Sequence, residues 1–251
     1  AEIVDAARLM DGKGIDHSGL KINWSDLMVH KRGFTDPVPD KMEKGLTGNG
    51  VETLHGAARF TGANTLEVDG QPYQSKRFLV AAGAIPRPVS FTGANLMIDS
   101  TNFLNLGTLP KRILFVGGGF VSFEFAHIAA RAGAEPIIID RGARPLSAFD
   151  PDLVEMLIAR SAAVGVDLRR ETEIVSITAS DAGFAVEVKT GDQTTTIETD
   201  LVVHGAGRIA ALADLNLEAA GVSYGDKGII VAPHLQSTTN DAVFAAGDSA
   251  D

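Results

Sequence analysis

The sequence predicts an α/β fold: a doubly wound parallel sheet with an antiparallel β-meander, organised as two lobes. Three observations carry the prediction. An apolar strand at 111–116 runs through the turn Gly117-Gly118-Gly119 into a helix opening at Phe120 and Val121. A second apolar strand at 135–139 ends in Asp140, 23 positions after Gly117, as expected of a strand-helix-strand unit whose strands lie parallel. Beyond them, 173–178, 184–189 and 194–198 alternate apolar and polar residues across turns at Asp181-Ala182-Gly183 and Gly191-Asp192, the pattern of half-buried antiparallel strands.

In chain order, 1–12 carries Ile3, Val4, Ala7, Leu9 and Met10 on a helical face, with no cap to open it. A second helix starts near Trp24 and is interrupted at Asp36-Pro37-Val38-Pro39, because proline lacks a backbone N–H and its ring collides with the preceding turn. It resumes to Leu46. Short strands follow at 51–54, 57–60, 65–68 and 77–80, parted by glycine or asparagine turns. The last runs into Ala82-Gly83-Ala84, a loop that leaves the first lobe. The second lobe holds the Gly117 and Asp140 strands, a helix at 151–164, a strand at 166–169, the meander, and a buried strand at 201–204 ending in Gly205-Ala206-Gly207-Arg208. The tail returns with apolar stretches at 228–231 and 243–246 before Gly247-Asp248.

The glycine turn has the composition of a dinucleotide grip. Gly117 suits the tight turn, Gly119 lets the backbone approach a pyrophosphate, and small Ser122 keeps the third position free of bulk where helix packs on strand. A pyrophosphate would rest on the helix N-terminus, against unpaired N–H groups and the positive end of the dipole. Asp140 stands where a carboxylate bonds the adenosine ribose hydroxyls, which favours NAD. Arg141 and Arg144 follow it and could receive a 2′-phosphate, so NADP stays open. A glycine triplet alone would also fit an ordinary strand-to-helix turn; the flanking strand, helix and carboxylate point to the nucleotide.

Bulk properties exclude several partners. The formal net charge of −10, without basic stripes, argues against nucleic acid. The most apolar stretch, 113–130, is broken by Glu124 and His127 and is too short to cross a bilayer. With no targeting segment, the expected setting is cytoplasmic. The chain has no cysteine, so it carries no thiolate site, and its six histidines form no ligand-spaced cluster, so no metal is expected.

Five ordered pieces, Gly56 to Phe60, Ala82 to Pro86, Gly117 to Glu124, Gly205 to Arg208 and Ala245 to Asp248, together resemble the two-dinucleotide flavoprotein reductases, the pyridine nucleotide-disulfide oxidoreductases that include glutathione reductase, dihydrolipoamide dehydrogenase and mercuric reductase. The resemblance covers essentially the whole chain. It implies an FAD/NAD(P)-binding Rossmann-like fold, with 1–92 and 224–251 as a partial FAD-binding domain and 93–223 as the NAD(P)-binding domain. It implies that Ala57, Ala82, Gly83 and Ala84 line the FAD site and that Asp248 takes a ribityl hydroxyl of the flavin. Gly117, Gly118, Gly119, Phe120, Val121, Asp140, Arg141 and Gly207 would hold the nicotinamide dinucleotide, with Ile174 beside its adenine.

Glu124 is the expected catalytic side chain, facing the nicotinamide and pairing with a lysine near the flavin; its other reading is a solvated helix carboxylate. Phe120 replaces a common tyrosine that lids the nicotinamide pocket. Arg208 fits the family's Gly-Arg turn, but Ile209-Ala210-Ala211 replaces the usual Pro-Asn.

The implied reaction is hydride transfer from NAD(P)H to FAD and on to a disulfide or similar small-molecule acceptor, in a homodimer. The family's first GxGxxG, its CxxxxC pair and its dimerisation domain are not among these residues. The expectation is therefore the middle of a longer protein, inactive in isolation. Two alternatives stand beside it: a non-catalytic NAD(H)-binding module, and a cysteine-free flavin reductase acting on ferredoxin or quinone.

Overall fold

The prolines at 37 and 39 divide the second helical stretch as expected. In the computed structural model, which describes residues 2–251, helices α1 (Glu2–Leu9), α2 (Trp24–Thr35) and α3 (Val38–Gly48) come first. Asn23 caps α2 by accepting the Asp26 N–H. Strands β1 (Ala58–Gly62), β2 (Thr65–Val68), β3 (Gln71–Gln74), β4 (Phe78–Val80) and β5 (Ala84–Pro86) follow. Next come α4 (Ser100–Phe103), β6 (Arg112–Val116), α5 (Phe120–Arg131), β7 (Glu135–Ile139), α6 (Pro151–Ala163) and β8 (Asp167–Arg169). The chain continues through β9 (Thr172–Ser180), β10 (Gly183–Thr190), β11 (Gln193–Thr199), β12 (Leu201–His204), β13 (Arg208–Ala210), β14 (Tyr224–Gly225), β15 (Gly228–Ile229) and β16 (Val243–Ala245). The elements form two compact units, one from the chain up to Asp36 with Pro88–Gly207, the other from Pro37–Arg87 with Arg208–Asp251.

The first unit is built on a parallel sheet in the order β12-β6-β7-β8. Strand β6 is apolar from Ile113 to Val116, where both its faces are covered. Ile113 and Phe115 point into a cluster with Phe103, Ala126, Ala129 and Ile138. Leu114 and Val116, one residue out of phase, pack with Ile177, Val186, Val188 and Ile197 of the meander. That meander is antiparallel in the order β11-β10-β9, so its alternating pattern buries one face and leaves the other to water. Phe103 stacks on Phe125 at 4.7 Å between ring centroids and meets Trp24 and Phe115 edge-on. The Trp24 indole N–H donates to the Leu106 carbonyl at 2.8 Å.

In the second unit, β1, β2 and β3 form an antiparallel sheet, β16 runs parallel to β4, and β13 pairs with β5. Its core gathers Phe60, Val80, Leu212, Leu217, Val222, Ile229 and Val243.

The unit boundaries differ from the cuts at 92/93 and 223/224 read from the motifs. Trp24 and Met28 of α2 are buried with Phe103 and Phe115, which ties α2 to the parallel sheet. At the other cut, Leu212, Leu217 and Val222 fill the second core. Residues 51–54 form no strand: Val51 and Leu54 are exposed and find no ladder partner among the described residues. The expected loop after 81 instead contains β5, because β13 pairs with it.

Helix α1 buries only Val4, and polar contacts hold it in place. Asp5 receives Arg131 Nε at 3.0 Å and Nη2 at 2.7 Å, with Arg160 at 3.2 Å. Arg131 also donates to the His127 carbonyl and to His127 Nδ1. Ser161 Oγ donates to the Leu157 carbonyl at 2.7 Å, so it accepts at 2.8 Å from His127 Nε2–H, which makes Nδ1 the acceptor for Arg131.

The Arg131 hydrogen bond, more than any other cause, lowers the Asp5 carboxyl from 3.8 to about 2. Burial first, then the Arg131 and Arg160 charges, push the His127 pKa below its usual 6.5, with Asp5 opposing them. An imidazole held neutral in the fold stabilises fully above 6.5 and loses that stability as pH falls below it. The Asp5 contribution, about 2 kcal/mol, is present above 3.8 and is lost as pH falls towards 2. Thermal melts should therefore show two acid-side losses: His127→Gln should remove the upper one and Asp5→Asn the lower. A melting temperature indifferent to pH between about 7 and 5 would contradict the His127 assignment.

Candidate functional site

Three glycines follow β6 for three different reasons. Gly117 has φ +98°, and a Cβ there would lie 2.6 Å from Ala206 Cα and 2.7 Å from the Gly205 carbonyl oxygen. Its N–H donates to the Ile139 carbonyl at 2.7 Å, which closes the turn against β7. A Cβ on Gly118 would run into the Asp140 carboxylate and stand 2.7 Å from Pro145 Cβ. Gly119 is the N-cap of α5 and offers no side chain to cap it, so N–H groups of the first helical turn have no cap among the described residues.

The far wall comes from the turn after β12. A Cβ on Gly205 would collide with Ser122 Oγ, and one on Gly119 would lie 3.2 Å from the Gly205 carbonyl oxygen. Ser122 is fully buried and its hydroxyl has no hydrogen-bond partner among the described residues. The chain continues through Ala206 to exposed Gly207, at φ +100°. With β7 and β8 on one side of β6 and β12 on the other, the glycine turn lies at the point where strand order reverses, where open α/β sheets bind ligands.

Asp140 leaves the end of β7 beside this turn. Its N–H donates to the Arg169 carbonyl at 2.9 Å and its Oδ1 accepts the Gly142 N–H at 3.2 Å. The following loop folds back, with the Leu146 N–H donating to the Gly118 carbonyl at 2.9 Å. Thus the structure brings Gly117, Gly118, Gly119, Asp140 and Gly205 together. Arg141 is exposed and makes no hydrogen bond or ion pair among the described residues, while Arg144 donates to the Ser147 carbonyl at 2.7 Å. Phe120 is 54% exposed at the head of α5, and half-buried Val121 packs beneath it on the core. Ile174 lies on β9, half-buried against the cluster of Ile139 and Val202.

Glu124 is exposed on the second turn of α5, between buried Phe123 and Phe125, and makes no ion pair among the described residues. The phenyl rings take the core and the carboxylate takes the solvent.

The residues expected at the flavin lie in the other unit. Gly83, at φ +74°, has open space where a Cβ would stand; its carbonyl accepts the Ala211 N–H at 2.9 Å and its N–H donates to Ser249 Oγ at 3.1 Å. Ala82 is exposed, and Ala84 opens β5 opposite Ala210. Arg208 donates to the Ala84 carbonyl. Asp248 lies in a 3-10 turn directly after β16 and is exposed, with no partner among the described residues. Because Ala245 pairs with Val80, the Ala82-Gly83-Ala84 loop and Asp248 both leave the C-terminal ends of paired parallel strands. Ala57 is exposed at the start of the β1 sheet, its N–H held by Asp69 at 2.9 Å.

Sequence reasoning missed two contacts. The Gly205–Ser122 fit couples two motifs read separately, and the Ser249 hydroxyl carries no sequence signal because its acceptor role depends on a residue 166 positions away. Among the described residues, no group of three His, Cys, Asp or Glu could hold a metal ion, and no helix is long and apolar enough to cross a membrane.

The family model described as pyridine nucleotide-disulphide oxidoreductase matches residues 12–251. Relatives include a glutathione reductase of Burkholderia cepacia, 29% identical over 94% of this chain and 52% of its own length. A dihydrolipoyl dehydrogenase of Thermus scotoductus is 33% identical over 95% of this chain and 53% of its own. A mercuric reductase of Lysinibacillus sphaericus is 31% identical over 94% and 44%. Among solved structures, the HOCl-induced flavoprotein disulfide reductase RclA from Escherichia coli superposes with a TM-score of 0.82 at 22% identity, over 98% of this chain and 55% of that one. The chain spans about half the length of the curated relatives it matches.

Proposed function

Because the chain belongs to the pyridine nucleotide-disulphide oxidoreductase family, we propose that it is the nucleotide-handling part of an NAD(P)H-dependent flavoprotein disulfide oxidoreductase. One observation carries this reading: the uncapped N-terminus of α5 opens from a glycine turn walled by Gly205 and overlooked by the Asp140 carboxylate. Backbone N–H groups of Gly119 and the first helical turn are suited to a pyrophosphate, whose negative charge the helix dipole favours. Asp140 accepts the ribose hydroxyls and repels a 2′-phosphate, so NADH is preferred to NADPH. Exposed Phe120 supplies an aromatic face to shield the nicotinamide end, and Glu124 sets a carboxylate one turn further along the same helix.

The second unit offers residues that fit FAD. Asp248 presents a carboxylate without a partner among the described residues, acceptor-only when ionised, and Gly83 leaves open the volume a side chain would fill. When bound, FAD supplies the two-electron acceptor that takes a hydride from NADH and passes the electrons to a disulfide. These residues contain no cysteine, so the thiol step belongs to residues outside them.

The test is titration of the chain with NADH and NADPH, followed by quenching of the single tryptophan, Trp24, in the core of the first unit. Saturable NADH binding at least about tenfold tighter than NADPH is expected. No saturable binding of either nucleotide would overturn the reading.

A further inference from the structure

We propose that Ser249 is a positioning residue for the flavin, fixing the Gly83 peptide so that the Ala82-Gly83-Ala84 loop and the Asp248 turn are held in register before the ligand arrives. The inference rests on the reading that these two segments bind FAD.

Strands β4 and β16 end side by side, and beyond Val80 and Ala245 the ladder gives way to two irregular segments. Each contains a glycine with positive φ, Gly83 at +74° and Gly247 at +63°, and among the described residues no atom beyond their own chain neighbours lies within 4 Å of where a Cβ would stand. Backbone in that conformation has wide freedom. Ser249 removes it at one point. Its side chain is fully buried, and its Oγ accepts the Gly83 N–H at 3.1 Å. The Gly83 carbonyl is held by Ala211, so the peptide groups on both sides of this residue are anchored.

The short helical turn places the neighbours oppositely, Asp248 exposed and Ser249 buried. One residue therefore presents the carboxylate while the next anchors the loop. Alanine at 249 would leave a half-buried N–H without its acceptor and release the loop from the turn. A ligand that must order the loop itself binds more weakly than one meeting a preformed surface.

FAD titration of the chain, read by flavin fluorescence and the visible absorption band, tests this together with hydrogen exchange at the Gly83 amide. In Ser249→Ala the amide should exchange at least about tenfold faster and FAD affinity should fall about tenfold, with NADH affinity unchanged. Ser249→Thr keeps the hydroxyl and should restore both readouts. If Ser249→Ala fails to fold, Ser249→Cys, a weaker acceptor, should weaken FAD without altering NADH. FAD binding by Ser249→Ala at wild-type affinity would overturn the positioning role. Failure of the wild-type chain to bind FAD would overturn the flavin reading beneath it, and Gly83 exchange would still report whether the hydrogen bond exists.

Discussion

Gly117→Ala should abolish measurable NADH binding and destabilise the parallel-sheet unit by about 3 kcal/mol, adding a left-handed backbone penalty to an overpacking cost. The φ of +98° is one that L side chains rarely adopt, and the new methyl would meet backbone atoms, Ala206 Cα at 2.6 Å and the Gly205 oxygen at 2.7 Å. No side chain can rotate away to relieve them. The turns after β6 and β12 must separate, and the wall of the proposed pyrophosphate site moves with them. Gly133→Ala is the control: at φ +94° it carries comparable strain, but a Cβ there meets nothing within 4 Å. It should cost about 1 kcal/mol and leave NADH affinity intact. Thermal melts and nucleotide titration of both variants separate strain from collision, and wild-type NADH binding by Gly117→Ala would disprove the assigned site.

Asp140→Asn should reverse the nucleotide preference. The substitution preserves shape and the Oδ1 acceptor for the Gly142 N–H, so it removes charge with little else. Hydrogen bonds to a charged group contribute about 1.5–3 kcal/mol, so NADH affinity should fall by about tenfold or more. Relief of repulsion should raise NADPH affinity by a similar factor. Arg141, exposed and uncommitted beside it, is free to meet the 2′-phosphate. The double variant Asp140→Asn, Arg141→Ala should lose the NADPH gain and keep the NADH loss. An unchanged ratio of the two dissociation constants in Asp140→Asn would remove the carboxylate from cofactor choice.

Much of the architecture was legible because it follows from local pattern. The apolar run at Ile113–Val116, the glycines after it and Asp140 lie within one strand-helix-strand unit, where spacing in sequence translates into spacing in space. The meander could be read for a similar reason: its strands pair with their neighbours in sequence. Proline chemistry placed the break between α2 and α3. The geometry of the proposed nucleotide site was legible to the extent that Gly117, Gly118, Gly119 and Asp140 share one motif. Glu124 carried two readings in the sequence, because exposure between two phenylalanines depends on which way the helix faces, and the packed sheet turns both rings inward and the carboxylate out.

Long-range packing decided the rest. Residues 51–54 have strand composition and no partner, whereas Ala84–Pro86 read as loop and form a strand, since a ladder needs a second chain segment that composition does not supply. Whether α2 belongs with the parallel sheet depends on Trp24 meeting Phe103, a contact no window of sequence contains. By itself the sequence determined the α/β class, the family and the placing of the glycine turn beside Asp140, because backbone freedom, periodicity and charge are properties of neighbouring residues. Only tertiary structure decided the unit boundaries, the fit of Gly205 against Ser122 and the Ser249 hydrogen bond, because each needs atoms from distant segments to arrive at one place.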